Sequence, residues 1–353
     1  MEINQLKQEA LALLKKLIRT PSFSGEENEA SRLVREYLES FGIQCQTVKN
    51  NLWTLNRYYD PGKPTVLLNS HLDTVKPNKG YTRDPFKPEV KDGKLYGLGS
   101  NDAGGPLVSL LSTFVWFYNR KNLKYNLLIA ATAEEESSGP NGLNSLLETL
   151  PPIDFAVVGE PTGMHPAIAE KGLLVIDGYA PGKAGHAAHG NTDNAIYNAL
   201  DDINRLRELE FDKVSHLLGK VKVTVTQIEA GQQHNVVPAN CHFVIDVRIN
   251  EYYSNSEIFK MLDKQTKSRL VARSFNLNSS FISPEHPFVL AAKKLGRSTY
   301  GSPTLSDQSV LHCPSLKMGP GDSTRSHSAD EYIGLDELDK GIELFIAIFE
   351  KIL

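Results

Sequence analysis

Imidazole and carboxylate side chains follow four short apolar segments of the 353-residue sequence. The residues and the segments before them are His71 after TVLLNS (65–70), Glu134 to Glu136 after NLLIAAT (126–132), Glu160 after FAVVG (155–159) and His327, one Gly-rich loop after SLKMG. Each segment is flanked by polar turns, which is typical of a strand covered on both faces. Because ligands bind where the carboxyl ends of parallel strands meet, we expect these groups to converge at one sheet edge.

Asp102 joins this set from the Gly-rich loop YGLGSNDAGG, where missing side chains let the backbone pass close to a bound ion. Each element has a simpler interpretation when it stands alone. A histidine after a strand is commonly just hydrogen-bonded, a glutamate triplet is typical of a solvated turn, and GLGSND lacks the third glycine of a dinucleotide-binding loop. Together they favour a metal site, because like charges gathered at one edge repel each other unless a cation is present.

The donor types indicate which metal to expect. Imidazole and carboxylate without thiolate suit zinc in a catalytic role, with cobalt or manganese as substitutes. Cys45, Cys241 and Cys313 lie far apart and form no CxxC pair, which argues against a thiolate site or a disulfide framework. Five ligand positions, one of them a carboxylate able to bridge, fit two ions about 3.5–4 Å apart that activate water.

The elements around these residues follow from apolar spacing. Helical periodicity predicts a first helix from Ile3 to Ile18. Ser24-Gly25-Glu26-Glu27 matches a capping box that opens a second helix, which Gly42 closes. The apolar segments then alternate with helical or Gly-rich stretches, and this alternation predicts an α/β fold with a mainly parallel sheet.

From about Gly172 the pattern changes to β-branched alternation in LLVIDGYA, KVKVTVTQI and CHFVIDVRI. Helical stretches are expected between these strands at 193–208 and 256–271. After Pro284 the helical and apolar pattern of the first part returns and ends in an amphipathic helix. The middle of the chain is therefore predicted to be an inserted α+β unit.

Length and charge limit the alternatives. The chain exceeds the roughly 100–200 residues of one typical domain, so we expect a discontinuous catalytic domain at 1–171 and 285–353 and an inserted domain at 172–284. A net charge of -4 without any run of Lys and Arg argues against nucleic-acid binding. The amphipathic start is unlike a signal peptide, and no apolar run approaches the roughly 18–20 residues that span a bilayer. We expect a cytoplasmic protein without a membrane partner.

Five ordered motifs resemble those of the M20 metallopeptidase family, which includes acetylornithine deacetylase, succinyl-diaminopimelate desuccinylase and the aminoacylases. The motifs are HLD (71–73), GLGSND ending at Asp102, AEEESSG (133–139), VGEPT (158–162) and SHSADE (326–331). The resemblance extends over nearly the whole chain, including the inserted domain. It differs at Asp102-Ala103-Gly104-Gly105, where many members have Asp-Met-Lys-Gly. The lost positive charge and bulk affect the expected pocket shape, and so the acyl specificity, more than catalysis.

The resemblance implies a role for each site residue. One zinc ion would be bound by His71 and Glu160, the second by Glu136 and His327, and Asp102 would bridge both, while Asp73 would hold the His71 ring and Glu135 would be the catalytic base. The triplet leaves the assignment of Glu135 and Glu136 open by one position. The family pattern Asp-Glu-Glu places Glu134 at the Asp, and this favours Glu135 as the base and Glu136 as the ligand.

The inserted domain resembles the family's dimerisation domain. GKAGHAA (182–188) matches the segment whose histidine, here His186, reaches the neighbouring subunit's active site and stabilises an oxyanion. Asn235 in NVVP and Arg248 in DVR match positions that hold the substrate carboxylate. Simpler interpretations are a turn for Asn235 and an exposed strand residue for Arg248.

The resemblance therefore implies a homodimeric enzyme with two zinc ions per subunit that hydrolyses a small N-acyl amino acid. Overall likeness favours the acetylornithine deacetylase branch of arginine biosynthesis, with N-succinylornithine or N-acetylcitrulline as related substrates. The alternatives with the same chemistry are succinyl-diaminopimelate desuccinylase and a dipeptidase or tripeptidase. A metal-free binding or scaffolding relative is the alternative from another class. The complete ligand set, with a base beside it, argues against that alternative.

Overall fold

A computed structural model describes residues 2–190 and 193–353. The chain forms two compact units. The larger unit contains the described residues up to Ile168 together with Phe281–Tyr300 and Ser306–Leu353. The smaller unit contains Ala169–Ser280 and Gly301–Leu305. The catalytic and dimerisation roles expected for the two parts of the chain stay predictions.

The helices and strands of the described residues are numbered in chain order. The helices are α1 (Ile3–Ile18), α2 (Asn28–Ser40), α3 (Gly105–Phe117), α4 (Ala195–Glu208), α5 (Asn255–Asp263), α6 (Pro287–Lys294) and α7 (Leu335–Ile352). The strands are β1 (Gln46–Val48), β2 (Asn51–Leu55), β3 (Thr65–His71), β4 (Glu89–Lys91), β5 (Lys94–Tyr96), β6 (Asn126–Thr132), β7 (Phe155–Val158), β8 (Ala167–Glu170), β9 (Gly172–Pro181), β10 (Gly185–His186), β11 (Lys222–Ala230), β12 (Val236–Val237), β13 (Asn240–Ile249), β14 (Arg269–Ala272), β15 (Ser280–Phe281), β16 (Tyr300–Ser302), β17 (Ser315–Lys317) and β18 (Tyr332–Gly334).

The central sheet of the larger unit has the strand order β1-β2-β6-β3-β7-β17-β8. The neighbours β6, β3, β7 and β17 are parallel to one another. The pairs β1–β2, β2–β6 and β17–β8 are antiparallel. All residues of β3, β6 and β7 are buried, as a sheet covered on both faces requires. The predicted α/β fold with a mainly parallel sheet is confirmed.

Three helices of the larger unit pack together through aromatic rings. α3 is apolar on almost every side and buries nearly all of its residues, whereas α7 is amphipathic and buries one face. The ring of Phe349 on α7 lies 6.2 Å from that of Phe117 on α3 and 5.3 Å from that of Phe288 on α6. Such contacts add apolar burial, which is the dominant stabilising contribution in a core of this kind.

The predicted capping box at Ser24 is wrong. α2 begins at Asn28, and its N-cap residue Glu27 makes no side-chain capping bond. The Ser24 hydroxyl instead donates to the carboxylate of Asp73 at 2.7 Å. The Glu27 carboxylate is fully buried and binds the backbone N–H of Glu134 at 3.1 Å. Ser24 therefore binds a residue far along the chain, and Glu27 accepts from Glu134 and from the backbone N–H of Gly25 at 2.6 Å.

The smaller unit is an antiparallel sheet of order β11-β13-β9-β14 with helices α4 and α5. One face of the sheet is apolar and belongs to a core that includes Phe243, Ile258 and Leu262. The helix predicted at 256–271 is correct only in its first half. α5 begins with a capping box at Ser254 and ends at Asp263, and the chain then forms β14, which pairs with β9.

No helix in the described residues is both long enough and apolar enough to cross a membrane. The cytoplasmic location stays a prediction.

Candidate metal centre

The four parallel strands of the larger unit deliver polar side chains to the edge where their carboxyl ends lie. His71 is the last residue of β3 and is buried. The glutamate triplet begins two residues after β6, and Glu160 lies two residues after β7. His327 follows β17 after the short turn Ser323–Arg325. β3 lies between β6 and β7, so the strands that follow it in the chain lie on both sides of it. In open α/β sheets such a point is the usual position for a ligand.

Asp102 lies between the two histidines. Its Oδ1 atom is 3.3 Å from Nε2 of His71, and its Oδ2 atom is 3.8 Å from Nε2 of His327. Each carboxylate oxygen therefore faces a different imidazole. This is the arrangement that a carboxylate needs in order to bind two cations at once.

Two glutamates complete this cluster. Oε2 of Glu136 is 2.9 Å from Nε2 of His327, and Oε1 of Glu160 is 3.9 Å from Nε2 of His71. Ligand atoms of His71, Asp102 and Glu136 lie within 4.8 Å of one another. All five predicted ligands are thus connected by distances below 4 Å that run through the histidines.

Three glutamates at this edge are electrostatically unfavourable without a cation, whereas His71 lowers the pKa of Asp102 against the effect of burial. Burial raises the pKa of Glu160 to about 8, and the charge of Asp102 adds to the rise. Burial also raises the pKa of Glu136. The pKa of Glu135 is raised well above its usual range by burial, and the Glu160 and Glu136 charges raise it further, against the opposing effect of His71. A bound divalent cation would reverse these shifts.

An unpartnered polar atom supports a metal at this position. Oε1 of Glu160 is buried and, among the described residues, has no hydrogen-bond partner. A buried carboxylate oxygen without a partner is unfavourable unless it coordinates a metal or is protonated. The donor set of imidazole nitrogen and carboxylate oxygen, without thiolate, fits zinc and related divalent ions.

Asp73 connects His71 to the turn that carries the glutamates. Nδ1 of His71 is 2.9 Å from the backbone oxygen of Asp73 and 3.5 Å from its Oδ1 atom. With the proton on Nδ1, Nε2 is left as the acceptor that faces Asp102. The Asp73 carboxylate also accepts the backbone N–H groups of Glu135 and Glu136, both at 3.0 Å. Asp73 therefore orients the predicted ligand His71 and two consecutive glutamates together.

The Glu134 side chain stabilises the turn after β6 by binding Asn141. Its carboxylate accepts from the backbone N–H of Asn141 at 2.9 Å and from the Asn141 side chain at 2.7 Å. Its backbone has a φ of 56°, in the left-handed region that non-glycine residues rarely adopt. Glu135 and Glu136 are therefore the two members of the triplet that remain for chemistry.

Two buried carboxylates near the site, Glu331 and Asp307, were not predicted from the sequence. Glu331 is 2% exposed and accepts three backbone N–H groups from the loop that contains Asp102. Burial raises its pKa to about 8, against the effect of these three donors. Asp307 accepts from Asn69 at 2.7 Å and from Thr132 at 2.8 Å. Of these two residues, only Glu331 belongs to a motif recognised in the sequence, because it is the last residue of SHSADE.

The remaining predicted residues lie in the smaller unit. The short ribbon of β10 and β12 brings His186 and Asn235 close together, because His186 pairs with Val236 and the N–H of Ala187 donates to the Asn235 oxygen at 2.9 Å. His186 is exposed. Arg248 lies on β13, where Nε and Nη2 bind the Asp246 carboxylate at 2.9 and 3.0 Å. Their predicted roles in catalysis and substrate binding stay predictions.

Comparison with known proteins agrees with this geometry. The sequence model of Peptidase family M20/M25/M40 matches residues 67–351. The chain is 26% identical over 364 residues to succinyl-diaminopimelate desuccinylase of Wolbachia pipientis subsp. Culex pipiens, covering 95% of this chain and 91% of that protein. It is 27% identical over 357 residues to acetylornithine deacetylase of Edwardsiella ictaluri, covering 92% and 93% respectively. The chain belongs to this peptidase family and is a metal-dependent amidohydrolase.

Solved structures of the family share the fold. The M20 family metallo-carboxypeptidase Sso-CP2 of Sulfolobus solfataricus matches with a TM-score of 0.75 at 17% identity, covering 97% of this chain and 98% of that one. The YXEP protein of Bacillus subtilis, described as a dinuclear metal-binding peptidase from the M20 family, matches with a TM-score of 0.74 at 16% identity, covering 99% of both. At these identities the likeness establishes the fold.

Proposed function

We propose that this enzyme removes the acyl group from a small N-acyl amino acid, with N-acetylornithine as the first candidate, in a reaction that uses two zinc ions per subunit. The observation that carries the proposal is the position of Asp102, whose two oxygens face His71 and His327. Two separate ions with a shared carboxylate suit the hydrolysis of an unactivated amide. The relatives named acetylornithine deacetylase support the choice of substrate.

The residues divide between the two ions. His71 and Glu160 would hold one ion, Glu136 and His327 the other, and Asp102 both, as their distances suggest. When bound, the ions lower the pKa of water and polarise the amide carbonyl. Proton transfer, stabilisation of the oxyanion and binding of the substrate carboxylate are assigned to side chains of the protein.

Glu135 is the proposed base. It is next to the ligand Glu136, and its N–H is fixed by Asp73 at 3.0 Å. The Glu135 carboxylate takes a proton from the attacking water and passes it to the leaving amine. Burial raises the pKa of Glu135, which makes its carboxylate a stronger base towards the attacking water.

His186 is the proposed donor to the oxyanion, acting across a dimer. The backbone N–H of Ala188 donates to its Nδ1 atom at 3.1 Å. In the neutral ring the proton is then on Nε2, which makes Nε2 a hydrogen-bond donor. A donor placed where negative charge develops contributes about 2.7–4 kcal/mol to a transition state.

The surface of the smaller unit supports a homodimer. β11 is an edge strand of the four-stranded sheet, so one row of its backbone groups lacks a neighbouring strand in the described chain. Tyr197 and Leu200 on α4 are 65% and 43% exposed. Edge strands and exposed apolar side chains are features that a second copy can cover.

The substrate carboxylate is proposed to bind near Arg248. Because Asp246 already occupies two of its nitrogens, Nη1 is the donor left for an anion. Lys222 is paired with Arg248 in the register of β11 and β13, and Lys171 is close enough to both for their charges to lower its pKa in addition to the effect of burial. These two lysines have no ion pair among the described residues. The group is therefore net positive.

The net positive charge around Arg248 also favours a second candidate substrate, a succinylated amino acid. A succinyl substrate has one carboxylate more than an acetyl substrate, and the lysines beside Arg248 offer it a partner. Relatives named succinyl-diaminopimelate desuccinylase agree with this alternative. Lys222→Ala distinguishes the two. If the lysine contacts a succinyl group, KM for the succinylated substrate rises and KM for the acetylated one does not.

A hydrolysis panel tests the proposed reaction. Zinc-loaded protein is incubated with N-acetylornithine, N-succinylornithine, N-acetylcitrulline, N-succinyl-diaminopimelate and several dipeptides, and release of the free amine is measured. A preference for N-acetylornithine supports the first candidate, and a preference for N-succinyl-diaminopimelate supports the second. Glu135→Gln protein prepared in parallel controls for a contaminating hydrolase. A metal-loaded protein that cleaves no member of the panel would contradict the deacylase assignment.

A further inference from the structure

Glu331 holds the loop that carries Asp102. Its Oε1 atom accepts from the backbone N–H of Asn101 at 2.7 Å and of Asp102 at 2.9 Å. Its Oε2 atom accepts from the N–H of Gly99 at 3.0 Å. Its own backbone oxygen accepts from Gly97 at 3.0 Å. One buried residue therefore fixes most of the backbone donors in a segment of six residues.

The loop depends on this carboxylate because it is neither a regular helix nor a strand. Gly99 has a φ of 74°, a left-handed conformation that glycine adopts without strain. Asp102 and Ala103 have non-helical backbone angles. The N–H groups of a buried irregular loop need acceptors from elsewhere in the fold, and Glu331 supplies them.

A second contact ties the same loop to the segment before His327. The side chain of Asn101 donates to the backbone oxygen of Asp322 at 3.0 Å and accepts from the Asp322 N–H at 2.9 Å. His327 lies between Asp322 and Glu331 in the sequence. The segment that presents His327 is thus attached at both of its ends to the loop that presents Asp102.

We propose that Glu331 is a positioning residue that sets Asp102 between the two histidines, so that both metal positions are formed before an ion binds. The inference rests on the proposed role of Asp102 as the bridging ligand. The SHSADE motif would then act on two ligands, since it contains His327 and positions Asp102 through Glu331. Loss of the carboxylate should weaken metal binding at both positions, because Asp102 serves both.

The experiment compares zinc affinity in three variants, using competition with a chromogenic chelator. Glu331→Gln keeps the size but replaces one acceptor oxygen with a donor, and Glu331→Asp keeps the charge but shortens the reach. Asp202→Asn is the matched control, because Asp202 is also buried and accepts backbone N–H groups, from Lys267 at 3.1 Å and Ser268 at 2.7 Å, but belongs to the smaller unit. Melting temperatures of the metal-free proteins are measured alongside.

We expect Glu331→Gln and Glu331→Asp to bind zinc about 10–100-fold more weakly at both positions, with a lower kcat and a nearly unchanged KM at saturating zinc. Asp202→Asn should retain the wild-type affinity. A purely structural role predicts a lower melting temperature with unchanged zinc affinity and kcat, and that result overturns the proposal. The aspartate variant provides the test if the glutamine variant does not fold.

Metal content of the wild type separates this inference from the proposed function. A wild type that binds two ions but cleaves no panel substrate contradicts the deacylase assignment, while the zinc affinities of the variants still test Glu331. A wild type that binds no metal overturns both.

Discussion

The carboxylate of Asp73 binds the backbone N–H groups of both Glu135 and Glu136, each at 3.0 Å. The same residue contacts Nδ1 of His71 through its backbone oxygen at 2.9 Å. The proposed ligand His71 at the end of β3 and the turn after β6 are therefore connected through one residue. The position of the proposed base relative to the metal centre depends on this connection.

Asp73→Asn should reduce zinc affinity or turnover about 10–100-fold, because an amide can accept at only one of the two positions. Zinc affinity by chelator competition and kcat on the best panel substrate are the measurements. Ser24→Ala is the control, since it removes a bond to the same carboxylate at 2.7 Å and leaves the glutamate turn intact. Equal effects of the two substitutions would argue against the orienting role.

Glu135→Gln should retain zinc and lose turnover by about 10²–10⁴-fold, the usual contribution of general acid–base catalysis. Metal analysis and single-turnover kinetics measure the two properties separately. Glu134→Gln and Glu136→Gln complete the series. The first should stay active, because Glu134 binds Asn141, and the second should lose metal. If Glu136→Gln kept its metal while Glu135→Gln lost it, the assignment of these residues would be shifted by one position.

The strands that carry the site were predictable because burial on both faces leaves a simple pattern. β3, β6 and β7 consist of buried residues throughout and coincide with the apolar segments in the sequence. Polar residues at their carboxyl ends then indicate one shared edge. The fold class and the convergence of chemical groups follow from these two facts.

Contacts between distant parts of the chain were not predictable from local patterns. Ser24 and Glu27 have the spacing of a capping box, but Ser24 binds Asp73, and Glu27 binds Glu134 in addition to Gly25. The second half of the stretch 256–271 is mostly polar, with Leu270 and Val271 as its apolar residues, and its last part forms β14 because β9 offers pairing partners. Glu331 and the N–H groups it accepts are about 230 residues apart, which no periodicity reveals.

His327→Ala should remove one of two bound zinc ions. His327 is 55% exposed and contacts Asp102 and Glu136, whereas His71 is buried on the other side of Asp102. The position centred on His71 therefore retains its donors. Elemental analysis after dialysis should find about one ion per chain in the variant and two in the wild type. His216→Ala, an exposed histidine of the smaller unit, is the control. Loss of both ions would mean that the two positions are not separable.

Glu160→Gln should stabilise the metal-free protein and reduce the stabilisation by zinc. The carboxyl has a pKa of about 8 in the folded protein, above its ordinary value of 4.5, so between these values the folded state binds more protons than the unfolded state. The free energy of unfolding of the metal-free protein then falls as pH rises towards 8. Glutamine removes this contribution. Denaturant unfolding with a chelator present should show a larger gain from the substitution at pH about 8.5 than at about 6. An equal or smaller gain at the higher pH would contradict this account.

His186→Ala should lower turnover by about 10²–10³-fold with little effect on metal content, because the donor acts only as the oxyanion forms. If the histidine serves the neighbouring subunit, mixing this variant with Glu135→Gln protein restores activity. In a hybrid dimer one site combines an intact Glu135 with an intact His186 from the other chain. Random reassociation of equal amounts should recover about a quarter of the wild-type rate, since half of the dimers are hybrids and each has one complete site. Mixing His186→Ala protein with a second portion of itself is the control. Subunit exchange verified by mass-tagged chains without any recovery would place His186 in its own subunit's site or outside catalysis.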